Sequence, residues 1–291
     1  MNFMMRVWCF VIVILFACNV ACQAQSYQKD SLFLIYLLDK SQYTDLISEA
    51  KRLRQSHGKS AEMQLQTAYY QGIGNYFLRQ LDSAAGYFGQ VQTQSPFYWK
   101  SRFYQSFSQA YQHQSSQAIQ VLDSLAPDDS LLIGLRNFQY AALHLLEGDE
   151  TAFERRSQQF KGRFYAFAQQ EQSLATYHTA IRQQKKQSAF KAAALSALVP
   201  GLGKIYARRT GQGIAAFLQC LVFGVQAYEG YRKDGFQSTR FLVYGSIFGV
   251  FYVGNIWGSA LAVRINRQEF QDKTHEQILF DMHIPLRTIF P

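Results

Sequence analysis

Two glycine-containing strings, Gly201-Leu202-Gly203-Lys204 and Gly72-Ile73-Gly74, invite a phosphate-binding reading. A phosphate loop needs an earlier Gly at fixed spacing and a Ser or Thr after the lysine, so that amides and a hydroxyl converge on the phosphates. The first string lacks both. The second is followed by helix-forming residues with no strand before it, so a nucleotide fingerprint fails on context. The histidines, His57, His113, His144, His178, His275 and His283, show no metal-ligand spacing and have no cysteine beside them. Cys9, Cys18 and Cys22 lie in an apolar N-terminal segment and Cys220 in an apolar span, which leaves no pair to staple a soluble part and fits either redox compartment. Glu229 is the one acid at the edge of an apolar span, and with Arg232 and Lys233 one turn away it reads as half of a structural ion pair. With no nucleophile, metal cluster or cofactor cradle, no enzyme and no cofactor are expected.

The elements that would position such residues emerge from charge and pattern. The chain has 291 residues, 48% of them hydrophobic, and a net charge of +9. Residues 26–160 hold 12 basic and 13 acidic residues, whereas residues 161–291 hold 16 and 7, so the excess sits in the apolar half. Basic residues flanking apolar spans serve anionic headgroups and orientation, and nucleic acid is not an expected partner.

At the N-terminus a short basic start ending at Arg6, an apolar run from Val7 to Phe16, and Cys22-Gln23-Ala24 read as a signal peptide over 1–24, cleaved before Gln25. The run is short for a retained anchor. Leu15-Phe16-Ala17-Cys18 offers the alternative of a lipidated Cys18.

Between 25 and 160 the chain repeats. Ala84, Ala118 and Ala152 step by 34 residues, as do Tyr70, Tyr104 and Phe138, and Phe77, Tyr111 and Leu145. In the clearest unit Gly72 is small, Ala84 follows twelve residues later, Phe88 one turn beyond, and Pro96 ends it; small positions let two antiparallel helices approach while aromatics fill the groove. An irregular first unit carries Tyr43, Leu46, Ala50 and Leu53, offset by 38. In the third, Arg156 and Gln159 stand where apolar residues belong. The pattern Gly72, Ala84, Phe88, Pro96 resembles the tetratricopeptide repeat over about residues 32–158, strongly in one unit and degenerately in the others, with Ser106 at the Gly position of the second. Phe164, Phe167, Glu171, Leu174, His178 and Ile181 predict one long amphipathic capping or linker helix within 161–188, its basic end (Arg182, Lys185, Lys186) suited to the helix dipole or to a headgroup surface.

Residues 189–264 predict a membrane domain of two to three spans. Phe241 to Val263 carries no charge and is long enough to cross; Gly213 to Tyr231 is softened by Gln219, Gln226 and Glu229, expected to face other helices; Ala192 to Gly203, broken by Pro200, crosses or re-enters. Pro200 ends a helix, Gly201 and Gly203 permit unusual dihedrals, and Tyr206 reaches the interface. The pairs Gly245/Gly249 and Gly254/Gly258 predict backbone contact within the hairpin, with homodimerisation as the alternative. Pro200, Gly201, Gly203, Lys204 and Tyr206 resemble the Pro-Gly-x-Gly-x-x-Tyr signature of a bacterial membrane-hairpin family of unknown function, over about 188–264. The resemblance implies tight helix packing and no activity.

The expected whole is all-α: a tetratricopeptide-like repeat solenoid, then a helical membrane domain, then a tail at 265–291. Three crossings, which place that tail across the membrane from an exported, periplasmic repeat domain, are favoured over a re-entrant first segment. The expected role is a protein interaction or assembly scaffold at the bacterial inner membrane, touching lipids and a protein or peptide on the repeat surface; the alternative is a component of a transport or insertion system. Oligomeric state stays open.

Overall fold

The computed structural model describes residues 29–56, 61–160, 162–184 and 187–291. The signal-peptide reading with its three cysteines, His57, Lys185 and Lys186 fall outside them. Among the described residues every regular element is a helix. The chain divides into two compact units: residues 1–178 with Ile278–Pro291, and Thr179–Gln277.

In the first unit the helices come in hairpins: α1 (29–39) with α2 (Tyr43–Ser56), α3 (Ala61–Phe77) with α4 (Leu81–Gly89), α5 (Tyr98–Tyr111) with α6 (Ser115–Asp123), and α7 (Ser130–Glu147) with α8 (Glu150–Ser157). One turn joins each pair. A residue in the left-handed region closes the first helix: Ser41, Arg79, His113 and Gly148, with φ of 57°, 61°, 60° and 76°. The amide of the next residue, Gln42, Gln80, Gln114 or Asp149, donates to a carbonyl five residues back, and its own carbonyl accepts the first bond of the second helix, from Leu46, Ala84, Ala118 and Phe153. This Schellman arrangement satisfies the last carbonyls of one helix while starting the next.

The turn sets the register and corrects the third repeat. Arg79 and His113 are 34 residues apart, but His113 and Gly148 are 35. Leu46, Ala84, Ala118 and Phe153 therefore share one position, and all four are buried, while Ala152 is half-buried. By the same slip Gln139, not Phe138, stands in register with Tyr70 and Tyr104. Gly72 has the place expected of it: a Cβ there would lie 2.6 Å from the Phe88 ring. Its counterpart Ser106 donates a hydrogen bond to the Ala118 carbonyl across the hairpin.

The expected long helix over 161–188 is shorter. It is α9, Ala168–Gln183; Phe164 and Phe167 precede it and press on Gly134 of α7, where a Cβ would meet their rings at 2.8 and 3.0 Å.

The second unit holds α10 (Ala189–Leu198), α11 (Leu202–Tyr206), α12 (Thr210–Asp234) and most of α13 (Thr239–Ile289). Helices α12 and α13 are each long and apolar enough to cross a membrane. They carry apolar residues outward, including Val222, Val250 (73% exposed) and Trp257 (75%), while α12 buries only small ones, Gly213, Ala216, Cys220, Ala227 and Gly230. Large outward apolar surface over small inward residues suits lipid rather than water. Gln219 accordingly faces out, against the expectation that the polar residues of this span turn toward other helices. Glu229 pairs with Lys233 one turn on, at 2.6 Å.

The expected tail at 265–291 is no tail. Helix α13 continues through it, and Ile278 onward belongs to the first unit.

Candidate functional site

The Pro200 motif is a folding device built from backbone contacts. Val199 is extended and Gly201 has φ of 87°, so α10 stops and the chain turns back. Gly203 then lies against α10: a Cβ on it would be 1.9 Å from the Ala192 carbonyl. Its amide, at the start of α11, donates to Ser196 Oγ at 3.0 Å; Ser196 Oγ is 2.7 Å from Ser259 Oγ, which donates to the Asn255 carbonyl at 2.8 Å. Gly201 in turn meets α12, with its would-be Cβ 2.0 Å from the Gly213 carbonyl. Tyr206 closes the loop: Gln187 Nε2 donates to its carbonyl at 2.7 Å and the Ser188 amide to its hydroxyl at 3.2 Å. Residues 188 and 206 are thus neighbours, and the segment returns to where it began. This overturns the three-crossing expectation, because a span must deliver its two ends to opposite faces.

Lys204 reaches across to Gly258, with Nζ 3.9 Å from a Cβ built there. Gly249 and Gly254 meet nothing within 4 Å and Gly245 only its own Phe241 ring, so of the two glycine pairs of this helix only Gly258 meets another helix, and it meets a side chain rather than backbone. Close approach falls on Gly201 and Gly203, where a backbone carbonyl is the nearest neighbour, on Gly213, which meets the Ile205 side chain at 2.6 Å and the Gly201 carbonyl at 2.7 Å, and on Gly230, which meets the Phe241 amide nitrogen at 2.9 Å.

In the first unit the side-chain chemistry gathers where a helix is packed. The last part of α13 lies across α3, α5 and α9. Ile278, Met282 and Leu286, one turn apart, are fully buried. Burying such a side chain contributes roughly 1.5–3 kcal/mol. His283 stacks on Phe107 at 5.2 Å between centroids and lies 5.8 Å from Tyr76; Phe290 stacks on Phe103 at 5.9 Å. Two polar bonds fix the register: the Tyr177 hydroxyl donates to Asp281 Oδ2 at 2.8 Å, and Lys100 Nζ donates to the Pro291 carbonyl at 2.8 Å.

Burial shifts several groups here. It lowers the Lys100 ammonium, and it lowers His283, helped by the nearby Arg287 charge, so the docked imidazole is favoured neutral. The Tyr104 hydroxyl is raised to about 12 by burial, with Arg287 opposing.

Of the residues singled out in the repeats, Gly72 and Phe88 meet each other and Ala118 lies over Ser106, while Ala84 occupies the matching buried position. They build the hairpins. The residues that meet the α13 segment, Tyr76, Phe103, Phe107 and Tyr177, and its own Ile278, Met282 and Leu286 were not singled out from the sequence. The four-residue apolar step from Ile278 to Phe290 was the available signal. Among the described residues no group of three His, Cys, Asp or Glu side chains is placed to hold a metal ion.

Comparison of the chain with protein-family models, with curated proteins and with solved structures finds no match in any of the three, which leaves the geometry of the two units to carry the functional argument.

Proposed function

We propose that this chain is a membrane-anchored interaction scaffold of the bacterial inner membrane, in which a tetratricopeptide-like array of helical hairpins binds a helical protein segment beside the bilayer. The observation that carries this reading is the aromatic face of α3, α5 and α9 with a helix already lying on it. Stacked helical hairpins expose such faces because each first helix presents one side to its neighbours and another to a ligand. The membrane half acts as the anchor: α12 and the first part of α13 cross, and the Pro200 segment is re-entrant. Two crossings leave residues 278–291 on the same side as residues 29–178, with which they form one compact unit.

The side is external if the signal is cleaved, because a cleaved signal exports the chain behind it. The charge pattern argues the other way: with two crossings, Arg182, Lys185, Lys186, Lys191, Lys204, Arg208, Arg209, Arg264 and Arg267 flank the repeat side and Arg232, Lys233 and Arg240 the other. Long domains translocate largely regardless of charge, so the signal outweighs the count. Single cysteines at Ser130 and Phe280, in a Cys220→Ala background, test this with a membrane-impermeant thiol reagent. Both label in cells with a permeabilised outer membrane. Labelling of one site alone refutes the two-crossing arrangement, and protection of both places the scaffold on the cytoplasmic side. For the scaffold role, a protein that co-purifies with the full chain in mild detergent is lost on Phe107→Glu, which sets a charge in the apolar face, and kept on Gly254→Ala. A chain that captures nothing, or loses its partner on both, defeats the reading.

A further inference from the structure

We propose that the face formed by α3, α5 and α9 is an exchangeable helix site: residues 278–290 are its resting, intramolecular occupant, and its external ligand is an amphipathic helix of the same pattern from another protein. This rests on the reading of the first unit as an interaction module, and it adds the class of partner and the means of control.

The resting occupant defines the ligand. Ile278, Met282, Leu286 and Phe290 form a single stripe at four-residue steps, and Asp281 beside it takes the Tyr177 hydroxyl. A ligand helix therefore carries apolar residues at i, i+4 and i+8, an aromatic at i+12 and an acid at i+3.

Three observations mark the occupant as replaceable. The first is incomplete filling: a cleft of about 830 Å³ stays open between Ile284 and Thr288 on the segment and Phe160, Glu171 and Ala175 on the receiving side. A bulkier helix gains contacts there that the resident one does not make. The second is unmet hydrogen bonding. His283 Nε2, a buried atom on the segment, has no partner. Buried polar atoms without partners are uncommon in a finished core, and release returns this one to water. The third is Pro285, inside the docked helix, which cannot give its amide to the Asp281 carbonyl and so weakens the helix where it binds.

A tethered occupant competes as though present at millimolar concentration, so a free helix binds weakly until the tether is released. The test uses the full chain in detergent and a fluorescent peptide of residues 276–291 as probe, read by anisotropy. Wild type binds the peptide poorly. Met282→Glu with Leu286→Glu, which expels the resident helix, binds the wild-type peptide about 100-fold more tightly, whereas Phe280→Glu, on the 66%-exposed side of the helix, changes nothing. A second variant guards against misfolding: cysteines replacing Phe107 and His283, in a Cys220→Ala background, lock the segment on oxidation and release it on reduction. Peptide binding must vanish in the oxidised form and return in the reduced one to the weak level of wild type or above. Binding indifferent to the lock, or a Met282→Glu/Leu286→Glu chain that keeps its thermal transition yet gains no affinity, overturns the proposal. Neither result depends on a natural partner, so the scaffold reading stands or falls separately by co-purification.

Discussion

Gly72 in the repeat unit opens room for a ring, whereas Gly203 in the membrane unit brings a carbonyl of another helix to its Cα. The neighbour that a side chain at Gly72 would strike is the Phe88 ring, 2.6 Å away; at Gly203 it is the Ala192 carbonyl, 1.9 Å away. The difference reflects the solvent each unit suits. Water rewards the burial of large apolar groups, so a glycine there serves an aromatic. Lipid gives no such reward, and helices in it associate through close backbone packing and hydrogen bonds between polar side chains, contacts of the kind made by Ser196 and Ser259.

The largest expected effect breaks the membrane half of that comparison. Gly203→Val or Gly201→Ala forces carbon into a backbone carbonyl, and at Gly201 also sets a side chain at a φ of 87°. No rotamer change relieves a backbone clash, so each loses the folded second unit, a cost above about 3 kcal/mol. Gly249→Ala, with nothing within 4 Å, is the matched control and is nearly neutral. Protease resistance in detergent separates them, and equal behaviour of Gly203→Val and Gly249→Ala sinks the assignment of the seam.

In the repeat unit the corresponding change is smaller and can be rescued. Gly72→Ala meets the flexible end of Phe88 and costs about 1–3 kcal/mol in thermal unfolding. Shortening the ring with Phe88→Leu recovers part of it, because the two positions share one volume. Ala84→Leu, fully buried four residues past the turn, falls in the same range. No second-site change rescues Gly203→Val in this way, and finding one would blur the distinction between ring space and backbone space.

Much of the hairpin pairing in the first unit is legible in the sequence because small residues recur where two helices cross. Ala84 and Ala118 mark that crossing, and the two lie in register. Ala152 misleads because one extra residue before the Gly148 turn shifts the last hairpin, and a fixed period cannot see a single insertion. The two long apolar helices are legible from composition. The return of the Pro200 segment is not, since it depends on Gly203 meeting Ala192 and on Tyr206 meeting residues 187 and 188. Nor is the docking of α13: its stripe of Ile278, Met282 and Leu286 announces a buried face but not which helices bury it.

Acid sharpens the comparison through His283, in the first unit. His283 is docked in a setting where burial lowers its pKa, with the Arg287 charge adding to the effect; its other neighbours are the rings of Tyr76 and Phe107. A base depressed in the docked state binds fewer protons there than when released. Docking is therefore unaffected well above the ordinary histidine range and weakens as the pH falls through about 6.5. Hydrogen exchange over residues 278–290 rises between about pH 7.5 and about pH 5.5, on either side of that range, while α12 is unchanged, and His283→Gln removes the pH dependence. A rise that persists in His283→Gln assigns the sensitivity elsewhere.

The smallest effect concerns the feature both units share. The turn that joins each hairpin also joins α11 to α12, where Arg208 has φ of 62° and the Arg209 amide donates to the Lys204 carbonyl at 2.9 Å. An L-residue in this region costs about 1–2 kcal/mol, and glycine removes that cost but returns about 0.4–1 kcal/mol of it as extra freedom in the unfolded chain. Arg79→Gly is thus expected to stabilise by about 0.5–1 kcal/mol, or about 1–4 °C in a unit of this size. Gly148→Ala shifts the other way by a similar amount. Arg208→Gly gains as much as Arg79→Gly, because the strain lies in the backbone torsion and not in the surroundings. A gain confined to the repeat unit would mean that Arg208 makes a favourable contact worth more than its strain, and the two units would then differ even in their turns.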